Sequence, residues 1–362
     1  GILMIITAIG IYFNIDRKFQ TYILETFPNY GTGLTQIEDN DLVKELLDTS
    51  PNESEQTSSA LLKKASQMAP EIIPGGEWIN SEPLSMEKLR GKVVLVDFWT
   101  YSCINCQRTF PYLQTWWDTY QDDGLVIIGV HSPEFEFEKD IDNVSKAAND
   151  FDLTYPIVQD NNFATWRAYS NRYWPAKYLI DANGYIRYTH FGEGKYNETE
   201  EAIQLLLAEA NMLTDKKTIN NPIYSIESQT PETYLGYTRI DNLVSPEEIL
   251  QDDIQTYSIP NKVTKNTFAL SGTWTITPEF AQPQPGASLE FNFTSKDVFL
   301  VLNPVTDSEP MVSVYLDDQF VKTISVDSDS LYQLIELQTA GQHILRLEFP
   351  DGNVEAYAFT FG

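Results

Sequence analysis

The hydrophobic pattern changes period twice along the chain, and the changes divide it into regions. Residues 1–13 (GILMIITAIGIYF) carry no charge. As a helix they would span roughly 20 Å, short of a hydrocarbon core of roughly 30 Å. The pattern predicts the end of a transmembrane helix with a juxtamembrane segment to residue 28; a buried helix of a soluble domain is the alternative. Asp16, Arg17 and Lys18 follow at once, too few charges to set orientation by the positive-inside rule. Residues 29–70 are rich in Ser, Thr, Asn, Asp and Glu and read as a polar linker with short helices at 41–47 and 58–68.

Residues 71–213 alternate strand and helix signals. VVLVDFW (93–99) and LVIIGV (125–130) are buried-strand runs. Residues 106–120 have helical spacing, with Phe110, Leu113 and Trp117 on one face, so Trp117 should pack and Trp116 be partly exposed. Residues 134–151 read as one amphipathic helix whose Glu134, Glu136 and Glu138 face solvent. AKYLID (176–181) and YIRYTHF (185–191) flank Ala182-Asn183-Gly184, a hairpin signal, and 198–210 closes with a helix. This order, βαβ then ββα, predicts a three-layer α/β domain.

Over residues 214–362 the helical period largely disappears. Short alternating strands are expected at 273–276, 289–293, 298–302, 312–316, 332–337, 344–349 and 355–361. Gln284-Pro285-Gly286, Asp317-Asp318 and Asp351-Gly352-Asn353 separate them as turns. The pattern predicts an all-β antiparallel sandwich.

Charge narrows the function classes. With 24 Lys and Arg against 52 Asp and Glu, the net charge is −28. Such a surface repels phosphate and argues against nucleic-acid binding. The chain has only two cysteines, Cys103 and Cys106, so a structural disulfide would consume that pair. Half of a zinc site is the other reading, but only His131, His190 and His343 remain as nitrogen ligands, none at metal-ligand spacing. No metal site and no cofactor beyond the Cys103–Cys106 disulfide is expected.

The chemistry centres on that pair. Cys103 falls where a buried strand ends and a helix begins, and the free N–H groups of a helix start favour a thiolate. Cys103 is the candidate nucleophile. Cys106, one turn further and less exposed, is the candidate resolving thiol. Asp97 lies inside an apolar strand, where a carboxylate is costly unless used, and is the candidate base for Cys106. Trp174-Pro175 opens a strand beside the thiols. Trp99, Tyr101 and Trp174 are candidate substrate contacts. His131, after the second strand, and Asn105, between the cysteines, are candidates for tuning the pair, although a satisfied or surface histidine is the plainer reading of His131. In the last region Trp274, Tyr315, Tyr332 and Tyr357 are candidate sugar-stacking rings, with at most one or two expected to be exposed.

The stretch VVLVDFWTYSCINCQRTFPYL resembles the thioredoxin superfamily, and WINSEPLSMEKLRGKVVLVDFW resembles its TlpA/ResA branch. FWTYSCINCQR, GVHSPEFEFEKD, YWPAKYLID and the terminal AYAFTFG resemble the DipZ family of redox proteins, over nearly the whole chain. The resemblance implies a TlpA-like thioredoxin fold followed by a carbohydrate-binding-module-like jelly roll, with a glycan as that domain's candidate ligand. It implies that residues 1–13 end a CcdA/DsbD-like membrane domain, which donates electrons to this part of the chain for extracytoplasmic protein disulfides. The expected location is the cell membrane, soluble part on the extracytoplasmic side. By match to the motif, Cys103 and Cys106 are the redox pair, Asp97 the buried carboxylate and Pro175 a cis-proline. Ile104-Asn105 departs from the Gly-Pro of thioredoxin, so the redox poise does not carry over.

Two other readings stay open. Thr100 stands three before Cys103, as in the peroxiredoxin pattern P-x-x-x-T-x-x-C, but Val96 occupies the proline position. The other is a glycan-binding surface protein whose α/β domain is a scaffold.

Overall fold

A computed structural model describes residues 61–212, 228–305 and 309–362. The expected membrane-helix remnant and most of the expected linker lie outside the described residues. Among those described, no helix is long and apolar enough to cross a membrane. The described residues form one compact unit.

The first part is a six-stranded sheet flanked by helices. Its strands are β1 (Trp78–Ile79), β2 (Val93–Trp99), β3 (Leu125–His131), β4 (Ile157–Gln159), β5 (Ala176–Ile180) and β6 (Ile186–Phe191), in the order β1-β4-β3-β2-β5-β6. β2 and β4 run parallel to β3, while β5 runs antiparallel to β2. Every residue of β2 is buried, because layers cover both faces of the sheet. Alternation sends Leu95 and Trp99 to one core and Val94, Val96 and Phe98 to the other. The chain joins this domain earlier than residue 71: the Lys63 amide donates to the Arg187 carbonyl and the Ala69 amide to that of Gly184.

The helices are α1 (Ile104–Gln107), α2 (Phe110–Tyr120), α3 (Ile141–Asp150), α4 (Ala164–Ala168) and α5 (Tyr196–Glu209). The single helix expected over 106–120 is broken after Gln107. Pro111, in the first turn of α2, has no N–H to return to the Gln107 carbonyl. The helix expected over 134–151 is also two pieces, a 3-10 turn at Glu136–Lys139 and then α3. Asp140, extended at ψ 126°, separates them and caps α3 by accepting from the Asp142 amide. The tryptophan pair is reversed from expectation: Trp116 is fully buried and Trp117 half-buried.

The second part is all-β, and its described strands are β7 (Thr233–Tyr234), β8 (Ile254–Tyr257), β9 (Thr267–Ile276), β10 (Ala281–Pro283), β11 (Ala287–Pro304), β12 (Met311–Leu316), β13 (Gln319–Ser325), β14 (Ser330–Phe349) and β15 (Val354–Phe361). β11 and β14 are each one long strand where two short ones were expected. They pair with each other along most of their length, with a register shift between Ser295 and Asp297. The first half of β11 also pairs with β9, and the second half with β15. With β10 bridging β9 and β15, the ladder closes on itself around a core that includes Trp274, Phe291 and Phe349.

Candidate active site

The thiols sit at the C-terminal edge of β2. Cys103 is the N-cap residue of α1, with extended backbone, and its sulfur accepts from the Cys106 amide at 3.2 Å. The Cys106 thiol donates to the Cys103 sulfur at 2.7 Å, so closing to a disulfide of about 2.05 Å needs only a sub-ångström approach. Cys103 is half-buried and Cys106 fully buried. Burial, and next the adjoining Cys103, push the Cys106 thiol well above its ordinary range.

Period-two alternation puts Asp97 on the same face of β2 as Leu95 and Trp99, the side where Cys106 packs. Asp97 is fully buried, and burial raises its pKa to about 6 against the lowering pull of Lys177. Lys177 of β5 lies opposite Asp97 in register, its Nζ 3.5 Å away and also fully buried. Apart from Lys177, neither Asp97 oxygen has a hydrogen-bond donor among the described residues. Sequence reasoning missed Lys177, a lone charge in an apolar strand as Asp97 is, because only the antiparallel register sets the two opposite each other.

The remaining candidates divide. The Trp174–Pro175 bond is cis. Pro175 is one residue beyond the Phe98–Ala176 pair, level with Trp99. Trp174 is half-buried, donates its indole N–H to the Ser132 carbonyl at 3.0 Å and packs 4.4 Å from Trp166. Asn105 is half-buried between the cysteines. Trp99, expected to touch substrate, is fully buried; it packs edge-on against Phe110 and His131 and supports the site from beneath. Gly129 makes room for it, since a Cβ there would lie 2.8 Å from the Trp99 indole nitrogen. Tyr101 is only 5% exposed. Its hydroxyl donates to Asp329 of the β domain, so that domain takes the place expected for a substrate. His131 is fully buried and stacks on Tyr101, and burial lowers its pKa to about 3. A pKa that low leaves it neutral at physiological pH, and its contacts are with Trp99, Tyr101 and the Thr100 hydroxyl.

Glu138 is the largest departure from expectation. It is fully buried, not solvated. One oxygen accepts from the Ser102 amide at 3.2 Å and the Ser102 hydroxyl at 2.6 Å, while the other accepts from the Glu134 and Phe135 amides. Burial raises its pKa to about 7. Glu134 is 9% exposed at its side chain and pairs with Arg239 at 2.7 Å, leaving only Glu136 truly solvated. The one sequence hint was the position of Glu138, three residues after Phe135 at a turn start, from which a carboxylate reaches back to the starting amides. Among the described residues no cluster of His, Cys, Asp and Glu is arranged to hold a metal ion.

The model of the AhpC/TSA family matches residues 67–189, and that of the thioredoxin-like C-terminal domain matches residues 230–362. YkuV, a thiol-disulfide oxidoreductase of Bacillus subtilis, is 32% identical over 40% of this chain and 98% of its own length. The thiol-disulfide oxidoreductase ResA of Halalkalibacterium halodurans is 30% identical over 37% of this chain and 73% of its own. This chain belongs to the thioredoxin-like thiol-disulfide oxidoreductases. It is also 33% identical over its full length to Protein DipZ of Mycobacterium tuberculosis, of which it spans 53%. The first part of the fold is thioredoxin-like, and Cys103 and Cys106 stand where its β2 gives way to α1.

Proposed function

We propose that the chain is the extracytoplasmic redox portion of a membrane-tethered protein, carrying reducing equivalents from a CcdA-like membrane domain to protein disulfides outside the cytoplasm. The observation that carries the reading is the pairing of a half-exposed Cys103 with a buried Cys106 at 2.7 Å, backed by the buried Asp97. The tether is supported by the uncharged run at residues 1–13.

In the proposed cycle the Cys103 thiolate attacks a client disulfide, expelling one client thiolate that takes up a proton. Asp97 accepts the Cys106 proton. The Cys106 thiolate then attacks the Cys103 sulfur, closing the Cys103–Cys106 disulfide and expelling the second client thiolate, which takes up the proton given up by Asp97. Two electrons and two protons from the donor restore the dithiol. Pro175 and the open side of Trp174 border the client's path.

The C-terminal domain is a jelly-roll sandwich that braces the redox domain. A glycan ligand would need a free aromatic face. Trp274 is in the core, and Tyr357 packs against Phe135. Tyr315 is covered by the Arg346 guanidinium at 4.0 Å, and the Tyr332 hydroxyl holds the loop at Asp327 and Ser328. The test has two parts. Equilibration with glutathione should give a reduction potential nearer about −270 mV than about −120 mV. Protease added to intact cells should release both domains together. An oxidising potential, or release only after lysis, would overturn the reading.

A further inference from the structure

We propose that Glu138 is a positioning residue that couples the β domain to the thiol site, so that contacts far from the sulfurs set the thiol–disulfide equilibrium of Cys103 and Cys106. The inference rests on the thiol-exchange activity of the chain.

The carboxylate joins two sets of donors. On one side are the amide and hydroxyl of Ser102, the residue before Cys103. On the other are the amides of Glu134 and Phe135. Both of those residues hold the β domain by their side chains. Glu134 accepts from the Arg239 guanidinium at 2.7 Å and lies 2.7 Å from the Tyr234 hydroxyl, whose single proton it shares with Glu232, also at 2.7 Å. Phe135 packs 4.9 Å from Tyr357 in a cluster with Val301 and Ala358. The Arg239 guanidinium closes the set, 3.7 Å over the Tyr234 ring and 5.4 Å from that of Phe135. A shift of the β domain moves the backbone at 134–135, which pulls on Glu138 and hence on Ser102.

Four donors converge on the two oxygens, an arrangement that suits a carboxylate and that its ionised form, with acceptors alone, satisfies best. A glutamine would turn its NH2 toward one donor pair and leave buried N–H groups unpaired there. The pKa of Glu138, raised to about 7, reflects how far the site is removed from water. Glu138 bonds neither sulfur directly, so its influence runs through the Ser102–Cys103 backbone.

The test uses the full chain and its equilibrium with glutathione. Glu138→Gln should shift the equilibrium constant by about tenfold, roughly 30 mV. Tyr234→Phe and Arg239→Ala should each shift it about threefold in the parent and have no further effect in the Glu138→Gln background. The coupling is refuted by interface variants that lower the melting temperature but leave the parent equilibrium constant unchanged, or that act equally in both backgrounds. If Glu138→Gln does not fold, Ser102→Ala decides, because it removes one donor and keeps the backbone; a shift supports the coupling and no shift refutes it. A parent that fails to exchange with glutathione at all sinks the oxidoreductase reading first, and the coupling with it. A parent that exchanges, matched by its interface variants, sinks the coupling alone.

Discussion

Replacing Asp97 with asparagine removes the base proposed for Cys106, and the electrostatics around the carboxylate set the expected size of the effect. With a pKa of about 6, Asp97 is about nine-tenths ionised near pH 7 and ready to accept a proton. General bases contribute about 10²–10⁴-fold; the competing charge of Lys177, 3.5 Å away, points to the low end. Resolution of a mixed disulfide on Cys103 should therefore slow about 100-fold, while first attack changes by less than about threefold. Asparagine alone would strand the buried Lys177 charge, at a cost of about 3–5 kcal/mol, so the decisive protein is Asp97→Asn with Lys177→Met. A raised carboxyl pKa means the folded state holds that proton more tightly. The stability from Asp97 is full below about pH 3.8 and is lost as pH rises through about 6, amounting to about 3 kcal/mol. Removing both charges should leave the protein at least as stable as the parent at neutral pH. The assay is release of a chromogenic thiol from the preformed mixed disulfide by stopped flow, from about pH 5 to about pH 8. The parent should show an inflection near pH 6 that the double variant lacks. Equal resolution rates in a folded double variant would refute the base role.

Other outcomes follow from the same geometry. Cys106→Ser should accumulate mixed disulfides through Cys103, visible by mass spectrometry; adducts forming instead on Cys106 in Cys103→Ser would reverse the roles. His131, lowered to about 3 by burial, stabilises the fold fully above about pH 6.5 and loses that contribution as pH falls toward 3. Urea unfolding should show His131→Phe spared about 3 kcal/mol of the loss between about pH 7 and about pH 4.5, and parallel curves would contradict the buried neutral state. Phe135→Ala should cost about 3–5 kcal/mol in the same assay, because the ring fills the junction with Tyr357; a loss below about 1 kcal/mol would mean the junction is not packed.

What the sequence made legible follows from which interactions are local. β2 was readable because burial on both faces leaves an unbroken apolar run, and Asp97 stood out against it. Lys177 had the same contrast, but its meaning depended on the antiparallel register that sets it opposite Asp97. The long strands β11 and β14 were expected as pairs of short ones because the stretches Ser295-Lys296-Asp297 and Ala340-Gly341-Gln342 interrupt the apolar alternation. They lie within strands that run on through them, with a register shift at 295–297. The role of Tyr101 was illegible and that of Glu138 no more than hinted at by its spacing from Phe135, since both depend on partners brought up by tertiary folding: Asp329 from the other domain, and Ser102 across a sheet edge.

Two buried carboxylates beside the same thiol pair have pKa values raised to about 6 and about 7, so titration alone does not separate their roles. Their donors do. Asp97 faces one cation at 3.5 Å and has lone pairs to spare, which is what a proton acceptor needs. Glu138 has both oxygens filled by amide and hydroxyl donors from Ser102, Glu134 and Phe135. Taking a proton there would force at least one donor off an oxygen, so the same chemical group is suited to holding backbone in place and unsuited to shuttling protons. Interfaces between domains within a chain are by default loose enough for relative motion. This one is closed by the Phe135–Tyr357 packing and the Glu134–Arg239 pair, both from the loop that Glu138 ties to the residue before Cys103. On the proposed coupling, part of the rigidity that thiol positioning needs comes from outside the thioredoxin-like fold, which gives the β domain a physical task at the site.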